Sequence, residues 1–345
     1  MYSASPGAPN PISATEVKAV TDSLLEPRFE RAVRSFSAHQ PMFAMIEHHF
    51  GYSEGGRRSG KRIRPQLVLH VADEEGLAPE FALDAASAVE MLHNYSLVHD
   101  DIEDGDELRR GRPTVWSRYG LAQGINTGDG MCSISYLTLL ANSARFPADR
   151  VLAMTRTLHE ANYAMCIGQA YDIEFENAAH VSMDDYVMMI DGKTAALFAA
   201  ACELGAIAAG ASRERADAYG AIGRTFGLAF QIVDDVLGIW GSESATGKQV
   251  GADLLQHKWS FPIVWALAGP PSPERDLIAE RYAQRGRDDR RDIVAITGAL
   301  DRLDARAAAD AACRGRLAEV DRIAVDADID RSGVIRSFLR TVARA

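Results

Sequence analysis

Apolar residues recur along this chain with the spacing of helices rather than of strands. Between Pro147 and Pro262 lie 114 consecutive residues without proline, and this segment is rich in Ala, Leu, Met and Glu, which favour helix. Alternation of β-branched and polar residues, the pattern of a strand, is almost absent. The chain is therefore predicted to be all-α, without strands. Its predicted helices cover residues 14–36, 65–74, 80–104, 115–121, 125–143, 148–175, 183–209, 213–239, 259–268, 274–284, 291–299 and 303–324.

One domain is expected over residues 16–345, preceded by a disordered tail over residues 1–15. The tail has no basic segment followed by an apolar run, so it is not predicted to be a signal peptide. The longest apolar stretch, residues 194–210, contains Glu203 and is shorter than the roughly 20 residues that span a bilayer. A buried core helix is favoured, and we expect a cytoplasmic protein without stable membrane insertion.

Composition excludes several function classes. Of 345 residues, 47% are apolar and 25% are charged, as in ordinary globular proteins. The net charge of −11 argues against nucleic acid as a partner, so a polyanion would have to bind through local basic residues or a metal. None of the four cysteines lies in a CxxC pair, which argues against a zinc site or a disulfide framework.

Two predicted apolar helices end in groups of aspartates. Asp100, Asp101 and Asp104 have helical spacing, which is expected to place their carboxylates on one face, where they would repel each other without a cation such as Mg²⁺. Asp234 and Asp235 follow Gln231 at the end of the second helix. Two such helix ends that face each other would hold a metal cluster inside a helical bundle. A solvated acidic helix end is the alternative for each group.

Basic residues accompany these carboxylates in short clusters. A metal on one side and Lys or Arg on the other suit a polyphosphate, although each cluster alone is also typical of a solvated loop. The chain has no Walker loop and no GxGxxG motif after a strand. A third polar group, Gln169 with Asp172 and Glu176, shares one helix face, and either a ligand or an internal ion-pair network would satisfy it. The basic residues concerned are Lys61, Arg64, Arg109, Arg110, Lys193, Lys248 and Lys258.

Six motifs follow one another in a specific order between about residues 60 and 258. They read GKRIRP, LVHDDIED with RRGRP, GQAYD, DGKTAAL, FQIVDD, and TGK followed by DLLQHK. In this order the chain resembles the trans-isoprenyl diphosphate synthases of the polyprenyl synthetase family, and among them geranylgeranyl and farnesyl diphosphate synthases. The resemblance implies a single all-α isoprenoid synthase domain, a helical bundle around a deep central cavity, that forms a homodimer. It also implies head-to-tail condensation of isopentenyl diphosphate with an allylic diphosphate.

The resemblance further implies roles for individual residues. Asp100, Asp101, Asp104 and Asp234 would bind up to three Mg²⁺ ions, with Mn²⁺ as an alternative, and Asp235 completes the second motif. Arg109, Lys193, Lys248 and Lys258 would grip the allylic diphosphate. Lys61, Arg64, His93 and Arg110 would bind isopentenyl diphosphate. Thr194, Gln231 and Gln169 would lie near the reacting carbons and the leaving group.

Two departures from the family pattern concern the second motif and the C-terminus. Gly238 stands where many members have a third aspartate, which is expected to weaken the hold on one metal. The C-terminal SFLRTVARA has no evident match to the basic tail that closes some members, and Arg340 and Arg344 are its weak candidates.

The resemblance assigns the control of product length to the residues five and four positions before the first aspartate. These are Tyr95 and Ser96, and a bulky Tyr about one 5.4 Å helical turn below the carboxylates would stop a growing tail. A C20 product is favoured, with C15 next. In the alternative, Tyr95 is ordinary core and the floor is formed from another helix by Met131, Ser133 or Tyr136.

Two competing functions share this fold. A terpene cyclase would need the aspartates but not the isopentenyl diphosphate site, which is present here. A regulatory, non-catalytic subunit of a heteromeric synthase would typically lack one aspartate motif. A general metal-binding bundle would not explain the ordered basic motifs.

Overall fold

The structure is a computed structural model that describes residues 21–34, 40–52, 60–241, 251–283 and 290–343. The predicted tail over residues 1–15 lies outside the described residues. A π-helical turn (Thr21–Leu25) leads into the first helix. The helices are α1 (Glu26–Arg34), α2 (Gln40–Phe50), α3 (Ile63–Glu74), α4 (Leu83–Glu103), α5 (Val115–Tyr119), α6 (Leu121–Leu140), α7 (Ala148–Phe175), α8 (Met183–Ile190), α9 (Ala196–Ala209), α10 (Arg213–Trp240), α11 (Ala252–Leu255), α12 (Phe261–Ala268), α13 (Pro273–Ala283), α14 (Arg290–Arg302), α15 (Ala305–Asp326) and α16 (Val334–Val342).

The all-α prediction is confirmed, with differences at short elements. The long apolar segments form helices close to the predicted bounds, because their periodic apolar faces are the strongest signal in the sequence. Helices α2, α11 and α16 were not predicted. They are short, and α16 shows its apolar face only through Ile335, Phe338, Leu339 and Val342, which are buried.

A two-stranded hairpin interrupts the helical pattern, so the prediction of no strands is wrong at this place. Strand β1 (Leu108–Arg109) pairs antiparallel with β2 (Arg112–Pro113). The two residues between them, Arg110 and Gly111, have φ of 53° and 74°. Left-handed φ at both central residues is the geometry of a type I′ turn, which matches the twist of the strands. The turn fixes the backbone positions from which the basic side chains of this segment extend.

Helix α9 forms the centre of the core. Most of its residues are Ala, Gly, Leu or Ile, nearly all are buried, and it packs against α3, α7 and α10. The run Met183–Ala209 is long and apolar enough to cross a membrane by composition, but 78% of its apolar window is buried inside the protein. This agrees with the predicted core helix.

The two helices that carry the aspartates belong to the same packed bundle. Helix α4 contacts α6 and α3, and α10 contacts α9 and α15. Two hydrophobic clusters form the core, and α10 contributes Phe226 to the first and Ile232 to the second. Asp234 and Asp235 follow directly after this passage between the clusters.

The C-terminal helix lies against α3 and not at the carboxylates. The Phe338 ring packs on the His70 ring with their centroids 4.8 Å apart. Arg340, one of two candidates for a closing basic tail, forms an ion pair with Asp321 of α15. Arg344, the other candidate, lies outside the described residues.

Candidate active site

The first aspartate group is divided between two cavities. Asp100 lines a cavity of about 220 Å³ together with Lys193, whereas Asp101 lines another of about 260 Å³ together with Arg109. The expectation that all three carboxylates share one face is therefore wrong for Asp101. Successive helical residues point in directions about 100° apart. The Arg109 Nε donates to Asp101 Oδ1 over 2.6 Å. This bond holds the carboxylate on the side of the helix where Arg109 lies.

Burial makes the ionised form of the carboxylates in this group costly, and the neighbouring cations do not fully offset that cost. It raises the pKa of Asp100 to about 6, although Lys193 opposes the shift. Burial also raises the pKa of Asp101 to about 6 against the effect of Arg109. Asp101 Oδ2 is buried and has no hydrogen-bond partner among the described residues. A bound cation would stabilise the ionised carboxylates, whose negative charge is costly to bury without it.

Lys258 lies beside the last carboxylate of the first aspartate group. Its Nζ lies 3.2 Å from Asp104 Oδ2, at the C-terminal cap of α4. The Tyr282 hydroxyl donates to the Lys258 carbonyl, and the Trp259 indole nitrogen donates to the Phe175 carbonyl. These bonds fix the chain at Lys258 and at the residue that follows it. The structure thus brings Lys258 to the first aspartate group, 154 residues earlier in the chain.

Lys193 is positioned by a π-helical turn that packs backbone against backbone. Helix α8 begins with a capping box of Ser182 and Asp185, and the turn Asp191–Ala195 follows it. A Cβ placed on Gly168 of α7 would lie 2.1 Å from the Lys193 nitrogen, so only glycine permits this approach. The result is that Lys193 reaches the cavity next to Asp100.

The polar face of α7 is largely satisfied within the protein. Lys193 forms an ion pair with Asp172, and Gln169 Nε2 donates to Glu103 Oε2 over 2.7 Å. Burial alone would lower the pKa of Lys193, but Asp172 and Asp100 outweigh it and raise the pKa. Of the two predicted alternatives for this face, the structure displays the ion-pair network. Gln169 also lines the cavity of Asp100.

Asp235 is a fully engaged buried carboxylate. It accepts hydrogen bonds from the Tyr186 hydroxyl and the Phe261 backbone nitrogen at 2.7 Å, and from Gln231 Nε2 at 2.8 Å. Gln231 in turn accepts a 2.6 Å bond from the Thr194 hydroxyl. Burial raises the pKa of Asp235 to about 7 despite these donors. Asp235 therefore ties α8, α10 and α12 together and has little capacity left for a ligand.

Asp234 is the more accessible carboxylate of the pair. Its side chain is exposed to solvent, yet desolvation by the surrounding protein raises its pKa to about 6, while Arg64 and Lys61 act to lower it. Asp253 of α11 adds to the increase. The adjacent pair thus divides into a structural carboxylate and a carboxylate available to ligands.

A second group of basic residues lies around His93. Arg64 Nη1 donates to His93 Nε2 over 3.3 Å, and the Arg64 guanidinium lies 4.2 Å from the centre of the Phe198 ring. Burial lowers the pKa of His93 well below its usual value, and Arg64, Arg109 and Arg110 add to this effect. His93 is therefore neutral at pH 7. Lys61 and Arg110 are exposed at the same region.

Arg62, which the sequence analysis did not select, anchors this basic group. It lies in a left-handed conformation with φ 48° and is buried. Its guanidinium donates to Glu26 over 2.7 Å and to Glu90 over 2.5 Å, and it lies 5.2 Å from the centre of the Phe29 ring. Its neighbours Lys61 and Arg64 are thereby held at the start of α3. In the sequence, only the apolar residues around the motif GKRIRP indicated that one of its basic residues is buried while the others remain available.

Asp253 is a further residue that the sequence analysis missed. A Cβ placed on Gly238 would lie 1.8 Å from Asp253 Oδ2, so the carboxylate occupies the space of an absent side chain. Asp253 also raises the pKa of Lys258. The motif DLLQHK contains this residue, but its distance in sequence from Gly238 concealed the contact. Lys248, the remaining predicted ligand, lies outside the described residues.

The carboxylates fit a hard dication that is shared with a ligand. Within the described ranges, no group of three or more His, Cys, Asp or Glu side chains is close enough to hold an ion alone. Mg²⁺ is commonly held by one or two carboxylates together with waters and substrate phosphates. Asp100, the unpaired oxygen of Asp101, and Asp234 supply such oxygen donors, and cations stand beside each of them.

The cavity of Asp100 continues into a partly apolar pocket. Tyr95 and Ser96 line it one to two turns of α4 before Asp100, facing Met165 and Cys166 of α7. The Ser96 hydroxyl donates to the His93 carbonyl and so turns back to its own helix. A charged end at the aspartates and an apolar end at Tyr95 suit a ligand with a polar head and a hydrocarbon tail.

Comparison with known proteins gives a consistent result. Residues 52–298 match the family model described as polyprenyl synthetase. The chain is 41% identical to (2E,6E)-farnesyl diphosphate synthase of Mycobacterium tuberculosis, over 79% of this chain and 77% of that protein. It is 38% identical to geranylgeranyl diphosphate synthase of the same organism, over 73% of this chain and 72% of that protein. A crystal structure of polyprenyl synthetase from Streptomyces coelicolor superposes with a TM-score of 0.87 at 33% identity, covering 96% and 99% of the two chains.

Proposed function

Because the chain belongs to the polyprenyl synthetase family and is a prenyltransferase that makes short-chain prenyl diphosphates, we propose the following division of its site. Isopentenyl diphosphate binds at Lys61, Arg64, His93 and Arg110. An allylic diphosphate binds at Arg109, Lys193, Lys248 and Lys258 beside the aspartates. Head-to-tail condensation of the two gives an all-trans product, with C20 favoured over C15.

The observation that carries this proposal is the contrast between the lysines paired with Asp172 and Asp104 and the arginines around His93. Lys193 and Lys258 are paired with Asp172 and Asp104, so that group belongs with the carboxylates. The group around Arg64 and His93 has a neutral imidazole among arginines. Two diphosphates, one with metal and one without, would satisfy these two environments separately.

Mg²⁺ is proposed as the cofactor of the allylic side. Asp100, Asp101, Asp104 and Asp234 would hold it together with diphosphate oxygens. When bound, Mg²⁺ neutralises the diphosphate and favours its departure as an anion. Lys193 and Lys258 stabilise the negative charge that develops on the same oxygens. Asp235 positions Gln231 and, through it, the Thr194 hydroxyl near the reacting carbons.

The apolar part of the cavity protects the reacting carbons. Met165 and Tyr95 line the pocket below Asp100, away from the charged groups. Exclusion of water there prevents hydrolysis of the allylic cation before isopentenyl diphosphate attacks it. The proton lost after attack is transferred to the departed diphosphate.

A cytoplasmic homodimer is proposed as the working form. Exposed apolar residues lie along α6, at positions 121, 125, 137 and 140, and others lie on the adjacent α7. Exposed apolar surface of this extent is typical of protein interfaces. The residues of this surface are Leu121, Ile125, Leu137, Leu140, Leu152, Tyr163 and Ile167.

Release of inorganic diphosphate tests this function. Purified protein is incubated with Mg²⁺ and a C5, C10 or C15 allylic diphosphate, each with and without isopentenyl diphosphate. We expect release only when both substrates and Mg²⁺ are present, and no release after chelation of the metal. Release from an allylic diphosphate alone would indicate a cyclase and overturn the proposal. A parallel reaction with Mn²⁺ is expected to retain activity.

A further inference from the structure

The bottom of the pocket is closed by a hydrogen-bonded group on three helices. The Tyr95 hydroxyl of α4 donates to Asn162 Oδ1 of α7 and lies 3.9 Å from Cys166 Sγ. Asn162 Nδ2 donates to Cys132 Sγ of α6 over 3.8 Å. Asn162 is therefore the residue through which α4, α6 and α7 meet at the level of Tyr95.

A second layer lies one helical turn deeper. Tyr136 follows Cys132 by four residues on α6, and His159 precedes Asn162 by three residues on α7. Their rings are stacked with centroids 3.6 Å apart and planes at 7°. One turn of helix, about 5.4 Å, is close to the length of one extended isoprene unit. By helical spacing, the pair of Tyr136 and the exposed His159 lies about one turn beyond Cys132 and Asn162.

The upper layer resists displacement by a hydrocarbon for a physical reason. Tyr95 is only 7% exposed, and its hydroxyl is engaged with Asn162. A tail that pushed the ring aside would break this bond and leave the Asn162 amide facing an apolar chain. An unsatisfied buried polar group costs more than the hydrogen bond itself contributes. When this hydrogen bond is already absent, the tail of a longer product can displace the ring without that free-energy penalty.

We propose that Asn162 is a specificity-determining residue that holds Tyr95 across the pocket as a first floor, and that the stacked Tyr136 and His159 rings form a second floor below it. This inference rests on the proposed function, because it assigns the end of the prenyl tail to this pocket. Among the alternatives for the floor on α6, it selects Tyr136. Tyr136 takes part, whereas Ser133 is exposed and donates to the Asp129 carbonyl on its own helix.

The experiment compares product lengths of single and combined variants by mass spectrometry. Asn162→Ala and Tyr95→Phe each remove the same hydrogen bond. Each is expected to raise the ratio of the next longer product to the wild-type product about fivefold, as expected for the loss of one hydrogen bond. Because both variants break the bond between Tyr95 and Asn162, the ratio in the double variant should fall short of the product of the two single ratios. Tyr95→Phe keeps the ring and its packing, so it remains informative if Asn162→Ala does not fold.

The second floor is tested in the background of the first. His159→Ala alone is expected to leave product length unchanged, whereas Asn162→Ala with His159→Ala should lengthen the product by a further unit. Ser133→Ala is the matched control on α6 and should behave as the wild type. Unchanged product lengths in the Tyr95→Phe and Asn162→Ala enzymes, with the wild type active, would overturn the inference alone. A wild type that forms no linear prenyl diphosphate would overturn the proposed function.

Discussion

Asp253 and Gly238 cannot both carry a side chain in their present positions, because a Cβ on Gly238 would lie 1.8 Å from Asp253 Oδ2. Position 238 is where the family pattern has a third aspartate, and the space of that side chain here contains the Asp253 carboxylate. Asp253 contributes to the raised pKa of Asp234 and of Asp235, so its negative charge acts on both aspartates of the second motif. We infer that α11 supplies the carboxylate that the motif itself lacks.

Gly238→Ala should therefore impair the site rather than stabilise its helix. The added methyl group would displace Asp253 and α11 from the second motif. We expect kcat/KM to fall at least tenfold and the Mg²⁺ concentration for half-maximal rate to rise. The measurement is a Mg²⁺ titration of the initial rate at fixed substrate concentrations.

The control for this substitution is Gly315→Ala in α15, where an added Cβ has open space. It should stabilise the protein by about 0.5–1 kcal/mol, because Ala favours helix over Gly, and leave the rate unchanged. The combined Gly238→Asp and Asp253→Ala variant moves the carboxylate back to position 238 and should recover part of the activity. No recovery, with a normal response to Mg²⁺ in Gly238→Ala, would refute the inferred role of Asp253.

Asp234 and Asp235 should give opposite results when each is changed to Asn. Asp235 accepts three hydrogen bonds in the core, so Asp235→Asn places an amide donor among donors and should lower the free energy of unfolding by about 1–3 kcal/mol. Asp234 is exposed, so Asp234→Asn should leave stability unchanged and reduce kcat. Urea unfolding and steady-state rates separate the two effects. Equal loss of stability in both variants would contradict the division of the pair.

Arg109 and Arg110 are adjacent in the hairpin but should affect different substrates. Arg110→Ala is expected to raise KM for isopentenyl diphosphate with less effect on the allylic substrate. Arg109→Ala breaks the ion pair with Asp101 and should affect the allylic substrate more. KM values for both substrates, measured for both variants, test the assignment. Equal damage to both substrates by Arg110→Ala would contradict it.

His70 should make the protein sensitive to acid. Its ring is buried with Nε2 unpartnered among the described residues, and burial lowers its pKa to about 4 from a usual value near 6.5. The unfolded chain therefore takes up a proton first, so stability present above pH 6.5 is lost as the pH falls toward 4. At pH 5 this loss is about 2 kcal/mol.

The variant His70→Leu removes this pH-dependent contribution to stability while it fills the space beside Phe338. Its unfolding free energy relative to the wild type should therefore increase between pH 7.5 and pH 5. A difference that is independent of pH would show that His70 does not contribute to acid sensitivity.

The sequence predicted the elements whose signal is periodic and local. Long helices such as α7 and α10 follow from apolar spacing and the absence of proline, and the chemistry of Asp100 and Asp234 follows from their position at helix ends. The hairpin was missed because four residues around a turn carry no period. The different roles of Asp234 and Asp235 depend on Tyr186 and Phe261, which only tertiary packing brings near.

Contacts over long sequence distances explain the remaining misses. Asp253 reaches the space over Gly238 through the fold alone, and Asn162 meets Tyr95 from a helix 67 residues later. Arg62 has the same charge as its neighbours Lys61 and Arg64, and burial against Glu26 and Glu90 distinguishes it. Residue type predicted the chemistry in these cases, and packing decided which residue performs it.

Isotope counting in the product tests the proposed condensation. Protein, Mg²⁺, a C5 allylic diphosphate and ¹³C-labelled isopentenyl diphosphate are incubated, and the product is analysed by mass spectrometry. We expect a linear diphosphate that carries three labelled units, with a minor species that carries two. An unlabelled hydrocarbon or alcohol from an allylic diphosphate, or no condensation product from C5, C10 and C15 starters, would contradict it.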